Sequence, residues 1–296
     1  MRLIDSIRAK GIGSVHGEMP GAMDLSTYLR DVIEESPVYV VDNVFDYIME
    51  HFSDYKDFHC FPNVAPPHRS FWMEYRRVLD NPRIPFEYNG ICVVADERKD
   101  GKDGWCLHCF LVSRPAILQQ PLGPTIQWHL DVDPDGTIVG LWPFTDCAEE
   151  GSIEEQQYLE SAEKSLGFIG VLCLALSFLH CKNVIVTNQE GMYPSRQARR
   201  EAQRRNDPPL VTYKTLQIEP MKKVLATEGG VAHNGLKKAL HICRGHFAEY
   251  GDEYGKGKLF GKYEGRFWMP AHVRGSADAG VALKDYNVKA PRKDAA

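Results

Sequence analysis

The chain has 296 residues, 43 % hydrophobic and 25 % charged, enough for one large domain or two ordinary ones with a real core, which excludes wholesale disorder. Its formal net charge of −5 argues against a protein that coats nucleic acid through bulk positive charge, while leaving room for a local basic surface. The 8 cysteines follow no framework spacing, which excludes a small disulfide scaffold and reads as reduced thiols of a cytoplasmic protein.

The first residues, MRLIDSIRAKGIGSVHGE, lack the apolar stretch of a secretory signal. Residues 24–35, DLSTYLRDVIEE, open on an N-cap aspartate and set Leu25, Tyr28, Leu29, Val32 and Ile33 at helical spacing, with Pro37 as the stop. A short strand is expected over 38–42 and a second helix over 45–52. Residues 63–76 read as a proline-broken loop entering an aromatic segment, whose Phe71, Trp72 and Tyr75 suit a core or a domain interface. Strands are expected over 89–96 and 105–112. TIQWHLDVDPDGTIVGLW (125–142) predicts a hairpin, two alternating arms around Asp-Pro-Asp-Gly with Gly136 in the left-handed position. It is no calcium loop, because Trp142 stands where the bidentate glutamate belongs.

Residues 153–181 predict one long helix, polar in its first half and apolar nearly all round in its second, as suits the centre of a fold. Its apolar run, 166–181, falls short of the roughly 20 residues that span a bilayer, so no membrane partner is expected. A strand is expected over 184–187. PSRQARREAQRRNDPP (194–209) carries Arg196, Arg199, Arg200, Arg204 and Arg205 at three- and four-residue spacing, which predicts a helical face suited to phosphate oxygens. Strands follow over 211–218, 238–250, 265–275 and 284–289, with a glycine- and lysine-rich connection at 251–265. The expected fold is α+β: a mixed region over 1–150, a central buried helix and connector over 151–190, and a C-terminal antiparallel sheet over 191–296.

Two short stretches concentrate chemistry: HICRGH (241–246) and PAHVRGS (270–276). Strand alternation predicts Arg244 and His246 on one side of the first strand, and Trp268, His272 and Arg274 on one side of the second. Antiparallel pairing would merge these, with Lys284 and Tyr286 joining from the last strand. Two histidines suit general acid–base work, arginines suit phosphate, and a tryptophan suits base stacking. The expected function is interaction with RNA or DNA phosphates. Its catalytic form is metal-independent RNA cleavage by His246 and His272, with Arg244 and Arg274 stabilising charge. Trp268, Lys284, Tyr286, Arg199, Arg200 and Arg204 would bind substrate. The rival expectation is a non-enzymatic protein with a protein partner, the cluster being an ordinary polar sheet face.

The segment from His241 to Val288 resembles a C-terminal pattern recurring in uncharacterised bacterial and phage proteins: RGH, a Gly/Lys-rich gap, an aromatic-bearing strand, then H-x-RG. The preceding QIEPMKKVLATEGG and ALSFLHCKNV extend the resemblance to about the last 120 residues. It implies a phage or mobile-element setting and no established activity.

Elsewhere, WCLHCF holds Cys106-x-x-Cys109, but no second CxxC or HxxxH completes four ligands. Alternation sends Cys106 and His108 one way and Cys109 the other. His129 and Asp131 alternate onto one face as a minor polar pair. GxxxxGK[ST], GxGxxG and GxSxG are absent from the sequence, so nucleotide hydrolysis, dinucleotide binding and an α/β-hydrolase are not expected. No metal and no cofactor is expected.

Overall fold

The computed structural model describes residues 2–13, 22–51, 61–118, 120–123, 126–144, 152–193, 195–207, 209–218, 239–243, 246–259, 261–269, 272–274 and 276–281. The chain is α+β, with a large mixed sheet, smaller sheets and a long central helix. It forms two compact units, Met1–Ile218 and Glu219–Ala296.

The first unit is built on eight strands in the order β6-β5-β4-β3-β2-β1-β8-β7. These are β1 (Val38–Val40), β2 (Ser70–Val78), β3 (Phe86–Glu97), β4 (Trp105–Pro115), β5 (Gln127–Val132), β6 (Ile138–Pro143), β7 (Val184–Gln189) and β8 (Tyr213–Ile218). β2 to β6 run as an antiparallel meander, while β1 lies parallel to both β2 and β8. The hairpin joining β5 to β6 turns at Gly136, whose φ of +86° is the left-handed conformation expected there. A side chain at Gly136 would also strike Asn63.

The helices of this unit are α1 (Leu3–Lys10), α2 (Ala22–Glu35), α3 (Asp42–His51), α4 (Ile153–Leu179) and α5 (Arg196–Arg205). α1 and α2 lay Leu3, Ile4, Ile7, Leu29 and Ile33 on one sheet face, against Trp72, Cys92, Phe110 and Val112. The approach is close at Gly90, where a Cβ would lie 2.1 Å from the Trp72 ring. α4 packs on the sheet, and Trp128 Nε1 donates to Ser165 Oγ at 2.9 Å. The Gln156–Leu179 stretch is long and apolar enough to cross a membrane, but 67 % of its most apolar window is buried inside the fold, as in a core helix. The length expectation for this run was therefore too short, and burial decides its reading.

α1 was not expected from its sequence, and a distant residue explains it. The Glu74 carboxylate on β2 accepts from the backbone N–H of Leu3 at 3.2 Å and Ile4 at 2.9 Å, and from Trp72 Nε1 at 3.0 Å. A fully buried acid thus caps a helix N-terminus, where orphan donors and the dipole favour an anion. Burial pushes the Glu74 carboxyl above the usual carboxylate range, against the pull of these donors and of Arg2.

The second unit holds β9 (Ala239–Cys243), β10 (His246–Tyr250), β11 (Gly265–Met269), β12 (His272–Arg274) and β13 (Ser276–Val281). β10 pairs with β11, while β9 sits between β12 and β13. The single strands expected over 238–250 and 265–275 are therefore each two strands, divided between different sheets. The boundary drawn near 190 moves to 218, because β8 pairs with β1 and β7 with β8.

Candidate functional site

The described residues do not assemble the expected C-terminal cluster. In the β10–β11 ladder His246 lies opposite Met269, and Phe247 opposite Trp268. Directly opposed residues share a face, so His246 and Trp268 are on opposite sides of this ribbon. His246 is exposed, beside a small core of Ala248, Leu259, Phe267 and Met269. Trp268 is 1 % exposed and meets the Phe247 ring edge-on at 4.7 Å. It offers no stacking face to a base, which corrects its substrate-binding role. Arg266, its near neighbour, is committed to Glu249, with Nε donating to Oε1 at 2.8 Å. His272 is in register with Cys243 and Arg274 with His241, in a ladder separate from that of His246. Arg244, Lys284 and Tyr286 lie outside the described residues.

The arginine helix is present and well defined. The Ser195 hydroxyl caps it by accepting from Ala198 N–H at 3.1 Å, and Asn206 ends it in the left-handed conformation at φ 54°. Ala202 is its buried residue. At 100° per residue, Arg196, Arg200 and Arg204 form a row pointing away from Ala202. Arg199 and Gln203 form a neighbouring row and line a cleft of about 420 Å³ with Tyr193 and Thr212. Arg205 is drawn aside to Asp207 at 3.1 Å. Among the described residues, no carboxylate stands within ion-pair distance of Arg196, Arg199, Arg200 or Arg204.

A second group of polar side chains lies on the large sheet. Register places His108 of β4 opposite His129 of β5, Cys106 opposite Asp131, and Asp96 of β3 opposite Cys106. All five therefore share one face, the one that α1 and α2 cover further along. One ligand atom each from Cys106, His108 and His129 lies within 4.8 Å of the others. Cys106 Sγ is 4.0 Å from His129 Nδ1, and the two imidazoles meet edge to face at 4.6 Å. Gln127 holds His129 Nε2 at 3.1 Å, and Asp96 Oδ2 stands 3.5 Å from His108 Nε2. Phe144 and Trp142 stack on the His129 ring at 5.2 and 5.9 Å.

Cys106 and His129 are buried, and His108 is partly exposed. Burial, reinforced by the Asp131 carboxylate that accepts its hydrogen bond, pushes the Cys106 thiol up to about 12. Burial lowers His108 below the usual histidine range, against the pull of Asp96. Cys109 lies on the opposite face, fully buried towards Cys173 of α4. A cleft of about 720 Å³, lined by His68, Arg69, Asp96 and Trp105, reaches this group only through Asp96.

Alternation alone paired Cys106 with His108, and His129 with Asp131. The β4–β5 register, which joins the two pairs, carries no local sequence signal. Scans of protein-family models, curated proteins and solved structures each found no match to this chain.

Proposed function

We propose that this protein binds nucleic acid through the phosphate backbone, with α5 as its docking element. The observation that carries this reading is the row of Arg196, Arg200 and Arg204 on the solvent side of a capped helix. At 1.5 Å rise per residue the row spans about 12 Å, the axial length of roughly three to four nucleotides of one strand. Guanidinium groups match phosphate oxygens with a planar fork and stay charged at any working pH. A patch of this kind in a chain of net charge −5 concentrates attraction at one place. Cleavage by His246 and His272 has no described geometry behind it, so the proposed activity is binding. The buried free thiols Cys92, Cys106, Cys109, Cys173 and Cys181 suit a reducing, cytoplasmic setting, and the resemblance of the C-terminal segment suits a phage or mobile element.

The test is fluorescence anisotropy of a labelled single-stranded oligonucleotide across a salt series. Wild type should bind more weakly as salt rises. Arg196→Ala/Arg200→Ala/Arg204→Ala keeps helix propensity and should flatten the slope of log K against log salt by about 2–3. Absence of binding at low salt, or an unchanged slope in the triple variant, rejects the reading and leaves a protein partner as the alternative.

A further inference from the structure

We propose that Cys106, His108 and His129 form a binding site for a divalent transition-metal ion, zinc being the best match to the donor set. Three nitrogen and sulfur donors converge from adjacent strands, and mixed imidazole and thiolate sets select zinc-like ions over the hard cations that need oxygen. Tetrahedral zinc, with Zn–S about 2.3 Å and Zn–N about 2.0–2.1 Å, sets sulfur and nitrogen about 3.6 Å apart. Cys106 Sγ and His129 Nδ1 stand at 4.0 Å, so this pair closes by a few tenths of an ångström, while His108, whose donor atom lies within 4.8 Å of the other two, closes by a side-chain rotation of about 1 Å.

The surroundings are those of a ligand set. A metal on His129 Nδ1 requires a proton on Nε2, and the Gln127 side chain lies 3.1 Å from that nitrogen. The Gln127 amide nitrogen faces it here; with the amide flipped, Gln127 Oε1 accepts a hydrogen bond from His129 Nε2–H and fixes the tautomer. Asp96 stands beside the other imidazole at 3.5 Å, a carboxylate–histidine pairing of the kind that orients metal-bound rings. Phe144 and Trp142 wall His129 on its stacked side. On binding, Cys106 breaks its hydrogen bond to Asp131, releases its proton to solvent and coordinates as thiolate. Three protein ligands leave a fourth position for water or a small ligand. That pattern belongs to open rather than closed structural sites.

The rival use of the same residues, a Cys–His nucleophile pair, lacks an accessible sulfur, since Cys106 is 3 % exposed. Copper would occupy the same set more tightly than zinc, so the assay uses zinc and its spectroscopic substitute cobalt alone.

The experiment uses the full chain without a histidine tag, stripped with EDTA and dialysed. Cobalt(II) is titrated in, the thiolate-to-cobalt charge-transfer absorbance is followed, and zinc is used to displace it. One equivalent should bind. Cys106→Ser should abolish the charge-transfer band, and His129→Ala should weaken zinc by more than about 100-fold. Gln127→Ala should weaken it by about 10-fold, and Cys109→Ser, on the other face, should leave the band in place. His108→Ala is at a partly exposed position and keeps the test decisive should the buried substitutions unfold the chain. No uptake by wild type, a band that survives Cys106→Ser, or unchanged zinc affinity in both histidine variants overturns the proposal.

Discussion

Glu74 and the Cys106–His108–His129 group stand on the same face of the same sheet, and both put polar atoms where apolar ones would pack. Glu74 has three donors within 3.2 Å, two of them helix N–H groups and one an indole. Its charge is spent on holding α1 in place. The Cys/His group instead turns its atoms towards one another at the limit of hydrogen bonding or beyond, while the Cys106 thiol also reaches Asp131 and the outer nitrogens meet Gln127 and Asp96. The first arrangement closes on itself, and the second converges on a point between its members. Buried polarity alone does not distinguish a structural group from a ligand set; the direction in which the partners point does.

That contrast breaks if the two groups respond alike to truncation. Glu74→Ala strands two backbone donors and an indole in the core and should lower the unfolding free energy by about 3–5 kcal/mol in urea denaturation. His108→Ala without metal should cost no more than about 1 kcal/mol. Equal losses would mean that the cluster is as structural as the acid. Zinc sharpens the contrast next. At a hundredfold excess over its dissociation constant it should stabilise wild type by about 2.7 kcal/mol, and Cys106→Ser should gain nothing.

The smallest effect is in pH. Burial places the folded Glu74 carboxyl above its ordinary value of 4.5, so the native state holds its proton more tightly than the unfolded chain does. Stability is fully present below the unfolded value and declines as pH rises through the folded one, by up to about 1.4 kcal/mol per pH unit for one proton. Asp5, also raised by burial, acts in the same direction. Thermal unfolding from pH 4 upward should therefore decline more steeply in wild type than in Glu74→Gln. Parallel curves would mean that the acid is not held above its ordinary range.

The sequence made the locally determined parts of this architecture readable. The Asp-Pro-Asp-Gly hairpin, α4 with its all-round apolar half, the arginine helix and the strand alternation of Cys106 with His108 all depend on neighbours a few residues apart. The parts that escaped depend on remote partners. α1 is only eight residues long and needs Glu74, 70 positions away, for its N-terminus. Isolated helices that short do not hold. The metal-ligand set needs His108 opposite His129, and register is decided by the whole meander. The expected C-terminal cluster depends on unbroken strands. β9 ends at Cys243 and β10 starts at His246 in another sheet, so alternation could not be carried across.

β1 is only three residues long, yet both of its edges are paired, one to β2 and the other to β8. Tyr39 waits for Lys214, about 175 residues downstream, which is roughly 9–35 s of synthesis at ordinary elongation rates. Through that interval an apolar strand with a bare edge stands open on the emerging chain, a template for any other extended segment nearby. Chains ending before Tyr213 would keep it open permanently and should aggregate, so the last strand of the first unit to leave the ribosome is also what seals it.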